Sequence, residues 1–572
     1  SGQRAAGSGQ RAAGSGQRAA GSGGVVSSRW ATIACSRRVL AVTRTITSLN
    51  RILDVLPALA DDPRIQVVFT IDEGSQFSVG VADRLRSLGA RVIPWPDATT
   101  TPFDLVIAAS DNSDLHQLIG PVLLVPHGAG YQKYSTHPGS GDDRDLSGLS
   151  ATALSHNGRP VPAHIGLSHE DQLVQLKRAT PELADRAVVI GDPCLDRLSM
   201  LARDRDRQRR LLNLQPGQAL VTVTSTWGTE STMGRWPTLA ADLLAQLPYD
   251  EFRVAAILHP NVWAYHGSWQ IDHWLRRARS AGLTLIAPTG PWQSALAAAD
   301  CVIGDHGSLS AYAAGLRHPL MLAAFGDSEV PAGTSMAQLG ASMPRLDRAQ
   351  PLADQIRDAI SAVDHAQLDH LADQVFARRG ESLSLLRELM YETMGLTPSA
   401  TTPVFDAGPA NPPAGPAPRA LRVVTESLGD TVTLRRFPAS LSDIVRPADS
   451  GHLVVIEGEP DERLAQTAAI LVADQTIITE ATARVWGAAT LTRLPGCRIA
   501  AAPISANTIL AVLRDGHLVR VSATTTPGAH ADPGLLASVL YHLLVRAQRP
   551  DLRPVTVTAG TSTTIVRFDS FG

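Results

Sequence analysis

Four segments carry the residue types that could do chemistry. The first, Val125 to Tyr134, reads VPHGAGYQKY and sets His127, Gly128, Gly130 and Lys133 directly after an apolar run. An imidazole can serve as a base near neutral pH, glycines let backbone approach a ligand, and an ammonium can offset phosphate charge. A glycine-rich turn with a surface histidine would look the same. In the second, VVIGDPCLDRL, Gly191, Pro193 and Asp196 close one apolar run and open a helix. A Gly-Asp-Pro turn with Asp196 as the helix cap accounts for these residues in purely structural terms.

The third segment, AAILHPNVW, places His259 at the end of a buried run, with Pro260 fixing the chain just beyond it. That puts the imidazole at the carboxyl edge of a strand, where α/β proteins bind ligands, although a satisfied structural histidine fits too. The fourth, ADCVIGDHGSLSAYAAG, is the most specific. An apolar strand runs through Asp305 and His306 into a helix whose first turn holds Gly307 and Ser308. The free amides and positive dipole end of such a turn suit an anion. Asp305 or His306 would then bind a sugar or glycerol hydroxyl, or position a leaving group.

These loops need elements to hold them. From Arg38 onward, short apolar runs alternate with stretches of helical spacing: VLAVT then TSLNRILDVLPAL, capped by Thr47 or Ser48; IQVVFT then VADRLRSLG; DLVIAA then SDLHQLIG; then VLLVP. A second alternation begins at ALVTVTST. It continues through a helix over Trp236 to Leu247, FRVAAIL, a helix over Trp269 to Ala281, LTLIAP, CVIGD and LMLAAF. Strands alternating with helices predict doubly wound parallel sheets, so an N-terminal Rossmann-like domain is expected over 37–205 and a second over 206–396.

Residues 1–21 are three copies of SGQRAAG, which lack the large apolar side chains of a core, so 1–36 is expected to be a disordered repeat and leader. The stretch 397–419, rich in Pro and Ala, reads as a linker, and 420–572 as an accessory α+β domain built around the helical run LLASVLYHLLVRA.

Composition narrows the class. A length of 572 residues exceeds one core, and 44% hydrophobic with 18% charged residues is ordinary for a globular α/β chain. A net charge of −3 gives no cationic field for nucleic acid. Of 51 basic residues only Lys133 and Lys177 are lysine. Cys35, Cys194, Cys301 and Cys497 are too scattered for a zinc knuckle or a disulfide framework, which fits a reducing cytoplasm. No run reaches the roughly 18 apolar residues of a membrane span.

Taken together, VPHGAGYQK, GDPCLDRL, the STWG loop at Ser225 to Gly228, LHPN and GDHGSLSAYAAGLRHPLML resemble, in order and spacing, the CDP-glycerol glycerophosphotransferases of the teichoic-acid polymerase type. The resemblance covers about 37–396 and implies a GT-B fold, with the active site in the cleft between two Rossmann-like halves. It makes His127 and His259 the essential histidines and His127 the base. Lys133, Ser225, Thr226, Asp305, His306, Gly307 and Ser308 would hold the nucleotide and phosphates, with Gly128, Gly191, Pro193 and Asp196 as structural turns. No cofactor or metal is implied, and the Asp-x-Asp at Asp143 and Asp145 reads as solvated.

The sequence departs from that family at His306-Gly307, where it usually has Tyr-Ser, and at Cys194, where it usually has Arg. The Gly307-Ser308 pair resembles the Ser-Gly run of UDP-N-acetylglucosamine 2-epimerases, which share the fold. Donors of either kind, CDP-glycerol or a UDP-sugar, therefore stay open, as does a catalytically silent nucleotide-binding protein. The implied setting is cell-envelope polymer synthesis in the cytoplasm, with a lipid-linked acceptor and room for peripheral attachment at the inner membrane face. No strongly basic amphipathic helix supports that attachment. The chain also resembles actinobacterial sequences labelled translation initiation factor 2, a reading excluded by chemistry: a GTPase needs a Gly-x-x-x-x-Gly-Lys-Ser/Thr loop, and no Gly-Lys pair occurs.

Overall fold

The computed structural model describes residues 32–33, 35–72, 74, 78–109, 114–130, 154–406, 416–444, 451–475, 479–524, 530–547 and 552–571. The terminal repeat, Lys133, Asp143 and Asp145 lie outside the described residues.

Seven strands form the first sheet: β1 (Arg37–Thr43), β2 (Ile65–Ile71), β3 (Val92–Ile93), β4 (Leu105–Ala108), β5 (Val122–Leu124), β8 (His164–Leu167) and β9 (Ala187–Val189). A small hairpin, β6 (Ser155–His156) and β7 (Arg159–Pro160), stands apart from it. The order is β3-β2-β1-β4-β5-β8-β9, with every pairing parallel. Central strands such as VLAVT and LVIA are buried on both faces, which is why they read as unbroken apolar runs rather than alternating ones.

The second sheet repeats the plan with five strands: β10 (Ala219–Ser225), β11 (Phe252–Leu258), β12 (Thr284–Ile286), β13 (Cys301–Gly304) and β14 (Leu320–Leu322). Their order, β12-β11-β10-β13-β14, is again fully parallel. Two doubly wound sheets thus follow one another. The helix Ser382–Thr393, although it comes after the second sheet, packs on the first, burying Leu386, Met390 and Tyr391 against Val39, Leu49 and Ile107. The chain crosses between the halves and returns. Each such apolar side chain contributes roughly 1.5–3 kcal/mol on burial.

Local structure departs from the sequence expectations in several places. The first helix, Ile46–Val55, is capped by Thr45 rather than Thr47 or Ser48. Thr45 Oγ1 accepts the Ser48 amide at 3.1 Å, while Ser48 Oγ accepts the Thr45 amide at 2.9 Å. Ser48 is therefore the far partner of a capping box. The helix expected over SDLHQLIG shrinks to a 3₁₀ turn at Leu115–Gln117. The one expected over Trp236 to Leu247 spans only Leu239–Gln246. The one expected from Trp269 to Ala281 is two short helices, Ser268–Trp274 and Arg276–Ser280, broken at Leu275.

The C-terminal region is a closed nine-stranded barrel, running from Ala420–Leu428 to Ser562–Phe571, rather than a simple α+β layer. The helix Pro533–Tyr541 fills it: Leu536, Val539 and Leu540 pack against Val423, Ile470, Ala501 and Val519 from the inward faces of the strands. The strongly apolar helix in the sequence is therefore a plug, covered on all sides. A second helix, Glu480–Arg493, packs outside through the small face of Ala483 and Gly487, a pattern too weak to stand out in the sequence.

The barrel is firmly seated on the second sheet's domain. The buried Arg436 guanidinium bonds both Asp250 oxygens, at 2.9 and 2.6 Å, and pairs with Asp532 at 2.8 Å. Among the described residues no helix is long and apolar enough to cross a membrane.

Candidate functional site

In each sheet the strand order reverses beside the first strand, and in the second sheet the reversal falls between β10 and β13. Loops leaving such neighbours run in opposite directions and open a crevice at their carboxyl ends. The loops there are Ser225 to Gly228 and Asp305 to Ser308, two of the segments singled out in the sequence.

Asp305 ties these loops together. Its carboxylate is almost fully buried and accepts the amides of Thr226 at 2.9 Å, Thr232 at 2.8 Å and Gly307 at 2.9 Å. His306 is fully buried as well. Its Nδ1 accepts the Gly326 amide at 3.1 Å, so the neutral ring carries its proton on Nε2 and donates to Glu329 Oε2 at 2.8 Å. Both side chains take part in shaping the loop. The buried side chain of Ser225 is likewise turned inward, donating to Thr226 O and accepting the Met233 amide. Thr226 is buried, with its amide on Asp305.

What faces the crevice is the start of the helix Ser308–Gly315. Its cap, Gly307, makes no side-chain hydrogen bond, so the helix begins without a side-chain cap. From the opposite half comes the loop after β5. Ser308 Oγ accepts the Ala129 amide at 3.1 Å, across the two sheets. A Cβ on Gly128 would stand 2.6 Å from that same oxygen, so a side chain there would force Ser308 to shift. His127, one residue earlier, is exposed. The first and fourth sequence segments therefore meet.

His259 lies beside them. Its amide donates to Ser225 O at 2.9 Å, holding the loop after β11 against the loop after β10. Its Nδ1 caps the following helix by accepting the Asn261 amide at 3.1 Å, which leaves the proton of the neutral ring on Nε2. Glu329 is a member that sequence reasoning missed. It is oriented by His306, and its Oε1 would lie 3.7 Å from a Cβ built on Gly228. The available signal was a carboxylate in GDSEVP, shortly after the apolar run LMLAAF.

The segment at Gly191 makes a turn into the helix Pro193–Arg203. Gly191 has φ of 76°, and a Cβ there would meet Ala377 O at 2.9 Å. The helix Pro193–Arg203 is capped by Asp192, which accepts the Leu195 amide at 3.0 Å, and not by Asp196. Asp196 instead accepts the Gly380 amide, the Ser382 amide and the Ser382 hydroxyl, anchoring the crossover helix. Burial pushes its carboxyl up, against the Ser382 hydroxyl that pulls it down.

Asp192 also joins the halves. It pairs with Arg51 at 3.1 Å and accepts the Tyr312 hydroxyl at 3.0 Å, while Arg51 donates to Tyr312 at 2.6 Å. Cys301, on β13, is no nucleophile: burial pushes its thiol up to about 12.

No protein-family model matches this sequence, and no curated protein matches it. Solved structures do. The wall teichoic acid polymerase TagF is similar with a TM-score of 0.44 at 11% identity, over 62% of this chain and 89% of that one. S. aureus MnaA with UDP is similar with a TM-score of 0.39 at 11% identity, over 63% and 98%. The UDP-GlcNAc 2-epimerase from Neisseria meningitidis bound to UDP-GlcNAc gives 0.36 at 14%, over 62% and 99%.

Proposed function

We propose that this chain is a GT-B-type transferase that moves glycerophosphate or a sugar from a nucleotide-diphosphate donor to an acceptor hydroxyl. The observation that carries the reading is the Ser308–Ala129 hydrogen bond, which brings the uncapped start of a helix at one sheet's switch point against the His127 loop of the other. Donor phosphates would sit at the helix start, where backbone amides and the dipole favour negative charge.

With CDP-glycerol as donor, His127 takes the proton of the acceptor hydroxyl. That oxygen forms a bond to the β-phosphorus while the bond to the CMP oxygen breaks, and CMP leaves with the electron pair. A positioned base is worth roughly 10²- to 10⁴-fold in rate. The helix amides and the Ser308 hydroxyl stabilise charge growing on the phosphoryl oxygens, as does Lys133 in this reading, and fixed dipoles do this well where water is excluded. His259 completes the pair of essential imidazoles. The acceptor would be part of a cell-envelope polymer.

A thermal-shift screen of the full chain with CMP, CDP, UMP and UDP is the test. Stabilisation by the cytidine nucleotides supports glycerophosphate transfer, and stabilisation by the uridine nucleotides supports a sugar donor. No shift with any of the four, or unchanged turnover in His127→Ala, would overturn the transferase reading.

A further inference from the structure

Among the described residues, the exposed large aromatic side chains are Trp227, Tyr265, Trp269 and Trp274, all in the segments that follow β10 and β11. Three of them lie on two consecutive helices. Tyr265 is 74% exposed, Trp269 72% and Trp274 50%, on the consecutive helices Pro260–His266 and Ser268–Trp274. Exposure on this scale is costly in water, and exposed rings gathered on neighbouring helices mark a place where something binds.

The rings are held, not loose. Trp269 stacks on His273 with centroids 5.2 Å apart and planes 9° apart. His266 sits edge-on between Tyr265 at 4.9 Å and Trp274 at 5.0 Å. Rigid aromatic faces with few torsions to freeze offer contact area at low entropic cost. The helix carrying Tyr265 is capped by His259, so this surface starts about 9 Å along the helix from a candidate site residue.

The chemistry of the patch selects its occupant. Between residues 260 and 280 no exposed large aliphatic side chain accompanies the aromatics, and each helix there spans no more than seven residues. A bilayer-binding surface would need a broader apolar face. A pyranose ring, by contrast, offers a C–H face to an aromatic ring while its hydroxyls stay in water. Charge adds to this. Arg277 and Arg279 are paired with Asp443 and Asp272, but among the described residues Arg276 has no carboxylate within ion-pair distance. An anion on the bound chain would complement it.

We infer that Tyr265, Trp269 and Trp274 form a shelf for an anionic saccharide chain, with pyranose faces stacked on the rings and a phosphate or carboxylate on Arg276. Its identification as the acceptor rests on the transferase reading; the binding itself does not.

The test is fluorescence anisotropy of the full chain with four probes: a fluorescein-labelled hexagalacturonate, a labelled N-acetylglucosamine hexamer, a labelled glycerol-phosphate hexamer that has charge but no ring, and phosphatidylglycerol vesicles. Hexagalacturonate should bind tightest. Trp269→Ala should weaken it about tenfold, the size of one good aromatic contact. Arg276→Gln should weaken hexagalacturonate while leaving the neutral hexamer unchanged. Failure of both ring-containing hexamers to bind, binding indifferent to Trp269→Ala and Trp274→Ala, or capture by vesicles alone overturns the shelf. The nucleotide thermal shift, run on the same variants, separates the two ideas. A kept shift with unaltered hexamer binding sinks the shelf only, whereas hexamer binding without any nucleotide shift sinks the transferase only.

Discussion

Ser308 Oγ and the Ala129 amide are 3.1 Å apart and belong to different sheets, and Gly128 leaves no room between them for a side chain. At this contact between the halves a glycine therefore faces a serine. Gly128→Ala would place its Cβ 2.6 Å from the Ser308 oxygen and should hold the halves apart. We expect at least a tenfold loss in kcat/KM, with a stability change of about 1 kcal/mol or less. Adding Ser308→Gly removes the clash, so the double variant should be more active than Gly128→Ala alone. Strictly additive losses in that cycle would show that the two residues do not meet in the working enzyme.

Asp305 gives an opposite expectation. Its carboxylate accepts three backbone amides in a buried place, and an amide side chain would aim an N–H at one of those donors. Asp305→Asn should cost about 2–4 kcal/mol in urea unfolding, because charge-assisted bonds are lost and a donor is left unpaired. A variant of native stability that merely loses activity would restore Asp305 as a ligand-binding residue.

The contrast between these residues shows what the sequence can convey. Parallel sheets were legible because strands such as FRVAAIL and CVIG are buried on both faces, which forces continuous apolar runs. Loop positions followed, since each candidate stood after such a run. Side-chain direction did not follow. Asp305 and His306 carry the residue types of a binding loop, yet both point inward, where they satisfy amides of Thr226, Thr232 and Gly326. Those partners lie 20 to 79 residues away in sequence, and no local pattern encodes them. Glu329 was missed for the same reason, because its place in the site comes from His306. The barrel was illegible because its plugging helix, Pro533–Tyr541, reads only as an apolar helix whichever element covers it.

His259 serves two purposes that one substitution can separate. Its Nδ1 caps the helix Pro260–His266, and asparagine is among the best residues for that task. His259→Asn should therefore unfold within about 0.5 kcal/mol of the native chain, whereas His259→Ala should lose about 1 kcal/mol. Both should lose turnover by 10²-fold or more if Nε2 acts in the transfer. Full activity in His259→Asn would reduce the imidazole to a cap.

The buried cluster of Arg51, Asp192 and Tyr312 bridges the halves. Tyr312→Phe removes one hydroxyl and should cost about 1–2 kcal/mol, the worth of hydrogen bonds to charged partners. Arg51→Met is harsher. It leaves the buried Asp192 without its cation, although Asp54 keeps Arg197 at 2.9 Å, and should cost about 3–5 kcal/mol. Differential scanning calorimetry would read both. Equal effects from the two substitutions would argue against a charge network.

His318 sets a pH dependence whose sign can be derived. Burial, with Arg205 adding to it, lowers its pKa from 6.5 to about 4 in the folded chain. Between those values the unfolded chain binds a proton that the folded one excludes, so stability rises with pH across the window and is lost on acidification. Above pH about 6.5 His318 therefore adds no proton-linked penalty, while about 3 kcal/mol of stability should disappear as pH falls to about 4. Urea midpoints measured from pH 7 down to 4 should show this slope. His318→Phe, which cannot bind a proton, should flatten the slope whatever it does to the absolute stability. A slope unchanged in that variant would place the acid sensitivity of this window in another group, and not in Asp62, whose carboxyl Arg64 holds well below its ordinary value of 3.8, so that its contribution is lost only at lower pH.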